Sequence, residues 1–507
     1  MTPTQTPTTR TPLAGRTATV VGAGFGGLAT ACYLADAGAD VAVLERHERP
    51  GGHANRIEDG RFAFDTGPSW YLMPDVFERF FGHFGRAPSD YYDLVQLDPH
   101  YRVVWKEGDE SDVCDSVDVR PDMRHNRAVF ESYEDGAGEA LERYLEEAEH
   151  TYEVGMERFV YEDRQRLRDF LDVDVLRSAR GLTFLGSMQD HVADYFDHPK
   201  LRQLLQYTLV FLGGSPYNTP ALYNLMSHVD FELGVYYPEG GLYSVVEGLV
   251  ALAEELGVSV RTDCEVSGLA RASDGVTVVT GDGVETRDVV VANANLAHVD
   301  RDLLPEGTRE YREGYWDDRT YAPSAYMLYL GVEGSVDPLE HHTLLLPEDW
   351  EPHFESIFED PRWPEDPSYY VNVPSVTDDS VAPAGHETVV VLVPVAPGLD
   401  DDEGTRGWFR ERVLSDLATH TGVDLRDRIV VEQEACVSEF AERYDDPQGT
   451  ALGLAHTLRQ TGPLRPGHRS SALDGLYYTG SFTTPGVGVP MCLISGQHAA
   501  DAVVADH

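Results

Sequence analysis

Apolar residues recur along the chain with two spacings, one typical of buried strands and one typical of helices. Residues 17–21 form a short β-branched run, which predicts a buried strand. Residues 28–37 have helical composition and stop at Gly38, a residue that commonly follows the end of a helix. A second apolar run covers residues 41–44. This order predicts a strand–helix–strand unit and therefore an α/β fold.

The same strand and helix patterns return in two later parts of the chain. Residues 245–256 predict a helix, and the strand-like runs after it end in one at 288–292, whose residues 289–292 are all apolar. Residues 476–479 and 492–504 predict a closing strand and helix. The stretches between these parts carry strand patterns at 101–105, 325–330 and 388–393 and a helix pattern at 406–421.

A glycine-rich turn joins the first predicted strand to the first predicted helix. Gly22, Gly24 and Gly27 follow the G-x-G-x-x-G spacing. They allow a tight turn, a close approach of the backbone to a pyrophosphate, and close packing of the helix on the strand. Glu45 ends the second strand about twenty residues later, where it can accept hydrogen bonds from a ribose. The turn therefore predicts a dinucleotide site, with the phosphates at the helix N-terminus.

Two further loops rich in glycine and small residues follow within the next stretch of chain. One contains Gly51 and Gly52, and the other contains Gly67. Such loops favour FAD as the dinucleotide, because its extended body needs more support than the pyrophosphate turn alone provides.

The alternation of the two kinds of stretch predicts two discontinuous domains, each made of separate pieces. We expect a Rossmann-type FAD-binding domain and an α+β substrate domain. The predicted pieces are a flexible tail at 1–13, the FAD-binding domain at 14–91, 231–308 and 449–507, and the substrate domain at 92–230 and 309–448.

Two segments are unusually apolar. Residues 70–84 form an aromatic-rich segment whose helical part, from Pro74, predicts a broad apolar face. Residues 201–212 form the second segment. The first segment can be a core helix or a lipid-facing or substrate-channel helix, and a core helix is the favoured interpretation. Membrane contact through them would be on one face of the bilayer only.

The charge balance argues against some partners. With 39 basic and 87 acidic residues, the formal net charge is −48, and the acidic surplus runs along the whole chain. Such a chain repels nucleic acid and anionic lipid headgroups at low salt. A surface adapted to a salt-rich cytoplasm is favoured over an acidic partner-binding surface, because salt screens the self-repulsion.

The remaining composition predicts an intracellular protein without a transmembrane span or a metal site. The 5 cysteines are far apart and show no metal-ligand spacing. The first residues lack the apolar core of a signal peptide. His341 and His342 are adjacent, which suits a single metal poorly, so we expect them in an exposed loop.

With these motifs in hand, the chain resembles the phytoene desaturase family of FAD-dependent carotenoid desaturases and isomerases, most closely its archaeal branch. This family shares its architecture with flavin amine oxidases and prenyl-GTPase dissociation inhibitors. The resemblance covers about residues 17–505, and the 478–491 segment is its most specific part. Its motifs are the fingerprint at 22–27, residues 65–69, 213–216, 374–378, 449–453 and 465–466, and the segment 478–491.

The resemblance implies a set of FAD-binding residues, whereas catalytic residues stay unknown. The glycines of the fingerprint would bind the pyrophosphate, Glu45 the ribose, and the backbone of Val266 the adenine. The C-terminal residues of the set would lie beside the ribityl chain and isoalloxazine. The implied FAD-binding residues are Gly22, Gly24, Gly27, Glu45, Arg46, Gly52, His53, Gly67, Pro68, Ser69, Val266, Gly480, Ser481, Gly488, Val489 and Pro490.

Two positions depart from the family pattern. Many members have arginine where His53 stands, so the phosphate contact can shift to Arg56 or be lost. Many also have histidine where Thr484 stands, which removes any proton relay at that position.

The expected activity is FAD-dependent desaturation of a C40 carotenoid, with phytoene as the first substrate and peripheral contact with the inner face of the cell membrane. Desaturation of the 3,4-bonds of a lycopene-like chain and carotenoid isomerisation are alternatives within the class. A non-catalytic prenyl-lipid carrier is the alternative from another class. An amine oxidase would need a lysine near the flavin, and neither Lys106 nor Lys200 lies in a flavin-like segment.

Overall fold

The computed structural model describes residues 11–106, 114–163, 186–457 and 459–507. The strands are β1 Thr17–Val21, β2 Asp40–Leu44, β3 Arg56–Asp59, β4 Phe62–Asp65, β5 Leu94–Gln96, β6 Tyr101–Lys106, β7 Ser116–Val119, β8 Tyr236–Pro238, β9 Ser259–Arg261, β10 Val266–Ala272, β11 Gly275–Thr280, β12 Gly283–Arg287, β13 Val289–Ala292, β14 Ser324–Glu333, β15 His342–Pro347, β16 Tyr369–Asn372, β17 His386–Val395, β18 Ile429–Ala435 and β19 Leu476–Tyr478. The helices are α1 Phe25–Asp36, α2 Pro74–His83, α3 Met123–Tyr133, α4 Ala137–Gly155, α5 Met188–Ala193, α6 Pro199–Gln206, α7 Leu225–His228, α8 Tyr243–Glu255, α9 Leu296–His298, α10 Glu351–Phe358, α11 Glu403–Thr421, α12 Val437–Tyr444 and α13 Val489–Asp506.

A five-stranded parallel sheet unites the N-terminal, middle and C-terminal parts of the chain. Its strand order is β19-β13-β1-β2-β9. Val20 in the central strand β1 pairs with Val43 on one side and Val291 on the other. The β-branched runs suit this position because a parallel sheet is covered on both faces. The predicted α/β fold with a parallel sheet is confirmed.

Helices α1 and α13 pack closely on each other beside this sheet. The contact is close because Gly496 has no side chain: a Cβ there would lie 2.7 Å from the Cβ of Ala29. Helix α8 also packs on α1. The N-terminus of α1 and the N-terminus of α13 both begin at glycine-rich loops, so the packing brings those loops together.

The second sheet has seven strands in the order β18-β14-β17-β16-β15-β6-β7. Most pairs are antiparallel, and β15 pairs with β6 in parallel. Helix α11 covers one face through Phe409, Val413 and Leu417. The helices α3 to α6 pack on the other side, where Leu344, Leu346 and Tyr370 join their core. These strands come from the stretches predicted for the substrate domain, whose exact boundaries stay predictions.

The predicted tail is too long by a few residues. Leu13 is 1% exposed, and its N–H donates to the carbonyl of Ala37 at 3.0 Å. The folded chain therefore begins before residue 13, because Leu13 fills the space between α1 and β2. Residues 1–10 of the predicted tail lie outside the described residues.

The two apolar segments lie in the interior. In α2, Val76, Phe77, Phe80 and Phe81 are buried, as a core helix requires. In residues 201–212, Leu201, Leu204, Leu205 and Leu209 are likewise buried. The lipid-facing interpretation of these side chains is therefore wrong. Within the described ranges, no helix has both the length and the apolar content needed to cross a bilayer.

Candidate functional site

One cavity of about 600 Å³ lies between the parallel sheet and the seven-stranded sheet. Its lining falls into a polar half, made of glycine-rich loops, and an apolar half, made of aromatic and aliphatic side chains. Every predicted cofactor residue except Gly27 lines this cavity. Residues from distant parts of the chain therefore meet at one place, as a bound dinucleotide requires.

The first glycine turn is shaped by backbone contacts that exclude a side chain. Gly22 has a φ of 97°, which side-chain-bearing residues rarely adopt. A Cβ on Gly27 would lie 2.2 Å from the carbonyl oxygen of Gly22, so Gly27 serves the packing of α1 rather than the cavity. A Cβ on Gly24 would lie 2.9 Å from Nδ2 of Asn293. The turn thus forms a cradle that lines the cavity with backbone at Gly22 and Gly24, in front of the N-terminus of α1, where a phosphate group would be stabilised.

Asn293 is a central residue of this cradle that the sequence analysis did not single out. Its side chain lies between the first glycine turn and the C-terminal loop, because Cβ atoms on Gly26 and Gly480 would each lie 2.8 Å from its Oδ1. Asn293 directly follows β13. Ligands of such sheets bind at the carboxyl ends of the parallel strands. The place of Asn293 at the end of a predicted parallel strand could therefore have identified it from the sequence.

Glu45 lies at the end of β2, where it closes the far end of the polar half. Its Oε2 accepts a hydrogen bond from the N–H of Ala23 at 2.8 Å, and its Oε1 accepts one from the N–H of His47 at 3.0 Å. The side chain is held in place by these bonds and lines the cavity beside Cys264 and Val266. This is the geometry expected of a ribose acceptor next to an adenine position.

Residues 443–446, which we call the acidic clasp, lie at the end of α12 and border the same half of the cavity. Arg46 pairs with Asp445 and donates to the carbonyl of Arg443. His53 Nε2 lies 2.7 Å from Asp446 Oδ2, and its ring stacks on Tyr444 with centroids 4.0 Å apart. Both Arg46 and His53 are therefore tied to the clasp while they line the cavity.

Asp446 receives a second hydrogen bond, from Asn295 Nδ2 at 2.6 Å. Arg56, considered above as an alternative phosphate contact, does not line the cavity and lies 3.6 Å from Glu58 instead. Of the two basic positions, His53 is the one that the fold brings to the cavity.

The loops at Gly52 and at Gly67–Ser69 form the wall between the two halves. Gly52 has a φ of 60° and approaches Gly24, so that a Cβ would lie 3.5 Å from the Cα of that residue. A Cβ on Gly67 would lie 2.2 Å from the carbonyl of His53. Ser69 Oγ lies 2.9 Å from Tyr370 Oη. This wall therefore joins the glycine-rich half to the aromatic half.

The C-terminal loop supplies the opposite wall. Gly480, Ser481, Gly488, Val489 and Pro490 all line the cavity. Helix α13 begins at Val489 without a side chain that caps its first N–H groups. Such a helix N-terminus favours electron-rich groups placed beside it. Thr484, which lies in the same loop, does not line the cavity.

Arg465 holds the C-terminal loop from behind. Its buried guanidinium donates to four backbone carbonyls, those of Leu454, Gln460, Ser481 and Thr483. No carboxylate of the described residues lies within 4.0 Å of it. Burial lowers the pKa of Arg465 to about 10, which leaves the side chain charged at neutral pH.

A buried histidine–tyrosine pair lines the cavity next to this loop. The N–H of Val487 donates to His456 Nε2 at 3.1 Å, so the proton of the neutral ring lies on Nδ1. Nδ1 in turn donates to Tyr223 Oη at 2.8 Å. Burial and the charge of Arg465 hold the pKa of His456 well below its usual value.

The apolar half of the cavity is lined by aromatic and aliphatic residues from both sheets and from the helical layer. They share large hydrocarbon surfaces and few polar atoms, which suits an apolar ligand. These residues are Trp70, Leu72, Met73, Met156, Val160, Val210, Leu212, Leu225, Met226, Leu344, Leu346, Trp350, Phe354, Ile357 and Leu392.

One carboxylate is buried behind this apolar half. Asp230 accepts hydrogen bonds from Tyr101 Oη at 2.7 Å and from Tyr207 Oη at 2.9 Å. Burial raises the pKa of Asp230 to about 7, although the two phenol hydrogen bonds oppose the shift. Tyr207 lines the cavity, so this pair offers a titratable group near neutral pH at the apolar surface.

The exposed-loop prediction for His341 and His342 is wrong. Both are buried, and His342 stacks on Trp70 with ring centroids 4.2 Å apart. Nδ1 of His342 lies 2.6 Å from Tyr370 Oη, and Nδ1 of His341 lies 2.7 Å from Thr377 Oγ1. The pair starts β15 inside the sheet, which hydrophobicity alone did not indicate.

The lining fits a flavin. The glycine positions exclude side chains where a phosphate would lie, Glu45 is positioned for a ribose, and an uncapped helix N-terminus faces the end of the site where a ring would lie. These features occur along one continuous cavity, so a single elongated group can use all of them.

Comparison with known proteins agrees with this geometry. The family model for flavin-containing amine oxidoreductases matches residues 25–504. A carotenoid 3,4-desaturase of Haloarcula japonica is 61% identical over 97% of this chain and 99% of its own length. A zeta-carotene-forming phytoene desaturase of Myxococcus xanthus is 35% identical over 95% of this chain and 93% of its own.

Solved structures agree on the fold. An oxidoreductase from Methanosarcina mazei matches with a TM-score of 0.62 at 16% identity, covering 95% of this chain and 99% of its own. Putrescine oxidase bound to putrescine matches with a TM-score of 0.60 at 17% identity, covering 97% and 99%. The chain therefore belongs to the flavin-containing amine oxidoreductase family, and it is similar over nearly its whole length to the carotenoid desaturases of Haloarcula and Myxococcus.

Proposed function

We propose that the protein is an FAD-dependent carotenoid desaturase. The observation that carries the proposal is the continuity of the cavity, in which dinucleotide-type loops open directly into an aromatic and aliphatic chamber. A polyene has no charge or carbonyl for a side chain to grip, so its binding depends on apolar burial worth about 25 cal/mol per Å². The chamber supplies that surface.

FAD is the proposed flavin because the cavity is lined by positions for an adenosine as well as by positions for a flavin ring. Glu45 and Val266 line the same cavity as Gly488 and Val489. A flavin without the adenosine part would leave the ribose acceptor and the adenine position without a partner. The predicted FAD-binding residues, including Arg46 and His53, are proposed in the same roles.

We propose that Tyr207 and Asp230 take up the proton of the desaturation. When bound, flavin would supply the two-electron acceptor for a hydride from one saturated carbon. The adjacent carbon loses a proton, and the electron pair of its C–H bond becomes the new double bond. Tyr207 Oη can accept that proton while it passes its own to Asp230, whose pKa of about 7 matches the task. His456 is less suited because both ring nitrogens are engaged.

The 3,4-bond of a lycopene-like chain is the proposed position of desaturation. From the sequence alone, phytoene was the first expected substrate. The 61% identity with a carotenoid 3,4-desaturase, against 35% with a phytoene desaturase, favours the 3,4 position instead.

We also propose cytoplasmic location with peripheral contact at the inner face of the cell membrane, since the substrate is dissolved in lipid. The contact cannot use the buried side chains of α2. Sedimentation with liposomes in high salt tests it, and protein that stays in solution under these conditions would rule the contact out.

Product analysis tests the proposed function. Purified protein is incubated with liposomes that carry lycopene in one sample and phytoene in another, and the extracted pigments are separated. We expect new conjugated double bonds from the lycopene sample. New bonds only from phytoene would move the assignment to phytoene desaturation, whereas geometric isomers without new bonds would replace it with isomerisation.

A carrier without catalysis makes a different prediction. Heat-released cofactor would be absent, and both pigments would return unchanged. FAD in the supernatant of heated protein is therefore the accompanying measurement, and its absence would contradict the proposal directly.

A further inference from the structure

A cluster of two histidines and an aspartate lies outside the cavity described above. Ligand atoms of Asp163, His468 and His498 lie within 4.8 Å of one another. None of the three side chains lines the large cavity. They come from three separate parts of the chain: the turn after α4, the loop before β19, and helix α13. Both histidines are buried, and Asp163 is exposed.

Backbone carbonyls orient both imidazole rings. His468 Nδ1 lies 3.0 Å from the carbonyl oxygen of Tyr478, and His498 Nε2 lies 3.2 Å from that of Tyr161. A carbonyl only accepts, so these nitrogens carry the protons. The lone pairs of the neutral rings therefore lie on His468 Nε2 and His498 Nδ1. A histidine that donates its other N–H to a carbonyl is the usual arrangement around a bound metal.

The second nitrogen of His498 lacks a partner. Its Nδ1 is buried and makes no hydrogen bond, and the whole residue is 4% exposed. His468 Nε2 accepts from Thr484 Oγ1 at 3.0 Å, a bond that can be exchanged for another ligand. A buried lone pair left unused in a folded protein calls for an explanation, and a cation supplies one.

The charges around the cluster suit a cation. The nearby positive charge of Arg469 is paired with Asp506 at 2.8 Å. Asp163 brings a carboxylate to the cluster, and Asp501 adds negative charge near His498.

We propose that Asp163, His468 and His498 bind one divalent transition metal of the zinc class, with His468 Nε2, His498 Nδ1 and a carboxylate oxygen as ligands and water completing the shell. Two imidazoles and a carboxylate are ligands that zinc commonly takes. Ligand atoms around a tetrahedral zinc lie about 3.3 Å apart, so the cluster would contract, mainly by movement of the exposed Asp163 side chain.

Such a site would join three parts of the fold behind the flavin loop. Thr484 directly precedes Pro485, which lines the large cavity. The metal would thus hold the loop before β19, helix α13 and the end of the α4 segment at fixed distances. This inference does not depend on the proposed function, because its readout is metal content.

Metal content tests the inference. Untagged, full-length protein is stripped with a chelator, incubated with zinc chloride, passed over a desalting column and analysed for zinc. We expect about one zinc per chain, and a visible absorption band of low-coordinate cobalt when cobalt chloride replaces zinc. His498→Gln and Asp163→Asn should each weaken zinc binding at least about tenfold.

His150→Gln is the matched control, because His150 is exposed on α4 and belongs to no such cluster among the described residues. Asp163 lies at the surface, so we expect Asp163→Asn to fold normally. Its zinc binding can therefore be measured even if His498→Gln does not fold. A parent protein without saturable zinc uptake would overturn the inference. Uptake that survives both substitutions would overturn it as well, since the zinc would then lie elsewhere.

Discussion

At the scale of single residues, the polar half of the site depends on positions that have no room for a methyl group. A Cβ atom on Gly24, Gly26 or Gly480 would lie within 2.9 Å of the Asn293 side chain. Asn293 is therefore both a wall of the cradle and the reason that three glycines are needed. The spacing of the fingerprint predicted the glycines, but only the fold identifies the side chain that faces them.

Gly27→Ala is expected to remove the flavin. Its Cβ would lie 2.2 Å from the carbonyl of Gly22, so α1 must move away from β1. We expect loss of most bound flavin, measured by the visible absorbance per chain. Gly82→Ala is the matched control, because a Cβ there has nothing within 4 Å and the residue lies in α2. It should keep full flavin content, and equal loss in both variants would contradict the role of Gly27.

Arg465→Gln is expected to loosen the C-terminal loop. Glutamine cannot reach the four carbonyls that the guanidinium holds, and each unsatisfied buried acceptor costs about 1–3 kcal/mol. We expect the free energy of unfolding to fall by roughly 2–5 kcal/mol, with weaker flavin retention during gel filtration. Arg124→Gln, at a side chain 89% exposed, should leave both unchanged. Unchanged stability in Arg465→Gln would contradict the anchoring role.

Asp230 predicts a pH dependence of stability. Burial raises the pKa of this carboxyl to about 7, above its unfolded value, so the folded state holds the proton more tightly. The contribution of Asp230 to stability is therefore fully present below about pH 4. It is lost as the pH rises through about 7. The free energy of unfolding of Asp230→Asn, relative to that of the parent protein, should therefore rise by roughly 2–4 kcal/mol between pH 5 and pH 8.

Thermal unfolding of both proteins at the two pH values measures this difference. A melting-temperature difference between variant and parent that does not change with pH would contradict the raised pKa. Because Asp230 is also the proposed proton acceptor, Asp230→Asn should slow flavin reduction by substrate and leave reduction by dithionite unchanged.

At the scale of elements, strands and helices with strong periodicity could be predicted from the sequence, and the surroundings of individual side chains could not. The pattern predicted β1, α1, β2 and α13, because β-branched runs favour buried strands and residues 28–37 and 492–504 have helical composition. His342 was misplaced because histidine carries no hydrophobic signal, although Trp70 stacks on it inside the sheet. Asp446, which follows α12, contacts His53 across a separation of 393 residues, and no local sequence pattern indicates such a contact.

Helix α2 provides a test at this scale. Phe81 is fully buried, so Phe81→Ala should lower the free energy of unfolding by about 3–5 kcal/mol. Phe84→Ala, at a partly buried position beside Tyr33, should have a smaller effect. Sedimentation of the folded variants with liposomes should match the parent protein. A specific loss of liposome binding in Phe81→Ala, without loss of stability, would restore the lipid-facing interpretation of this helix.

At the scale of the whole molecule, the cavity exists because two sheets made of interleaved pieces face each other. The parallel sheet contributes the glycine loops, the seven-stranded sheet contributes part of the apolar half, and the end of α12 contributes the acidic clasp. The alternation of sequence patterns predicted this interleaving. It could not predict how the halves join, because the junction at Ser69 and Tyr370 is a tertiary contact between distant residues.

The most direct test of the central claim is an anaerobic titration of the flavin-loaded protein with lycopene in liposomes. Bleaching of the visible flavin band is followed in parallel with the pigments extracted from the same sample. We expect the flavin to be reduced and one new double bond to form for each flavin reduced. A flavin that stays oxidised while both lycopene and phytoene are present in excess would contradict the proposed carotenoid desaturation.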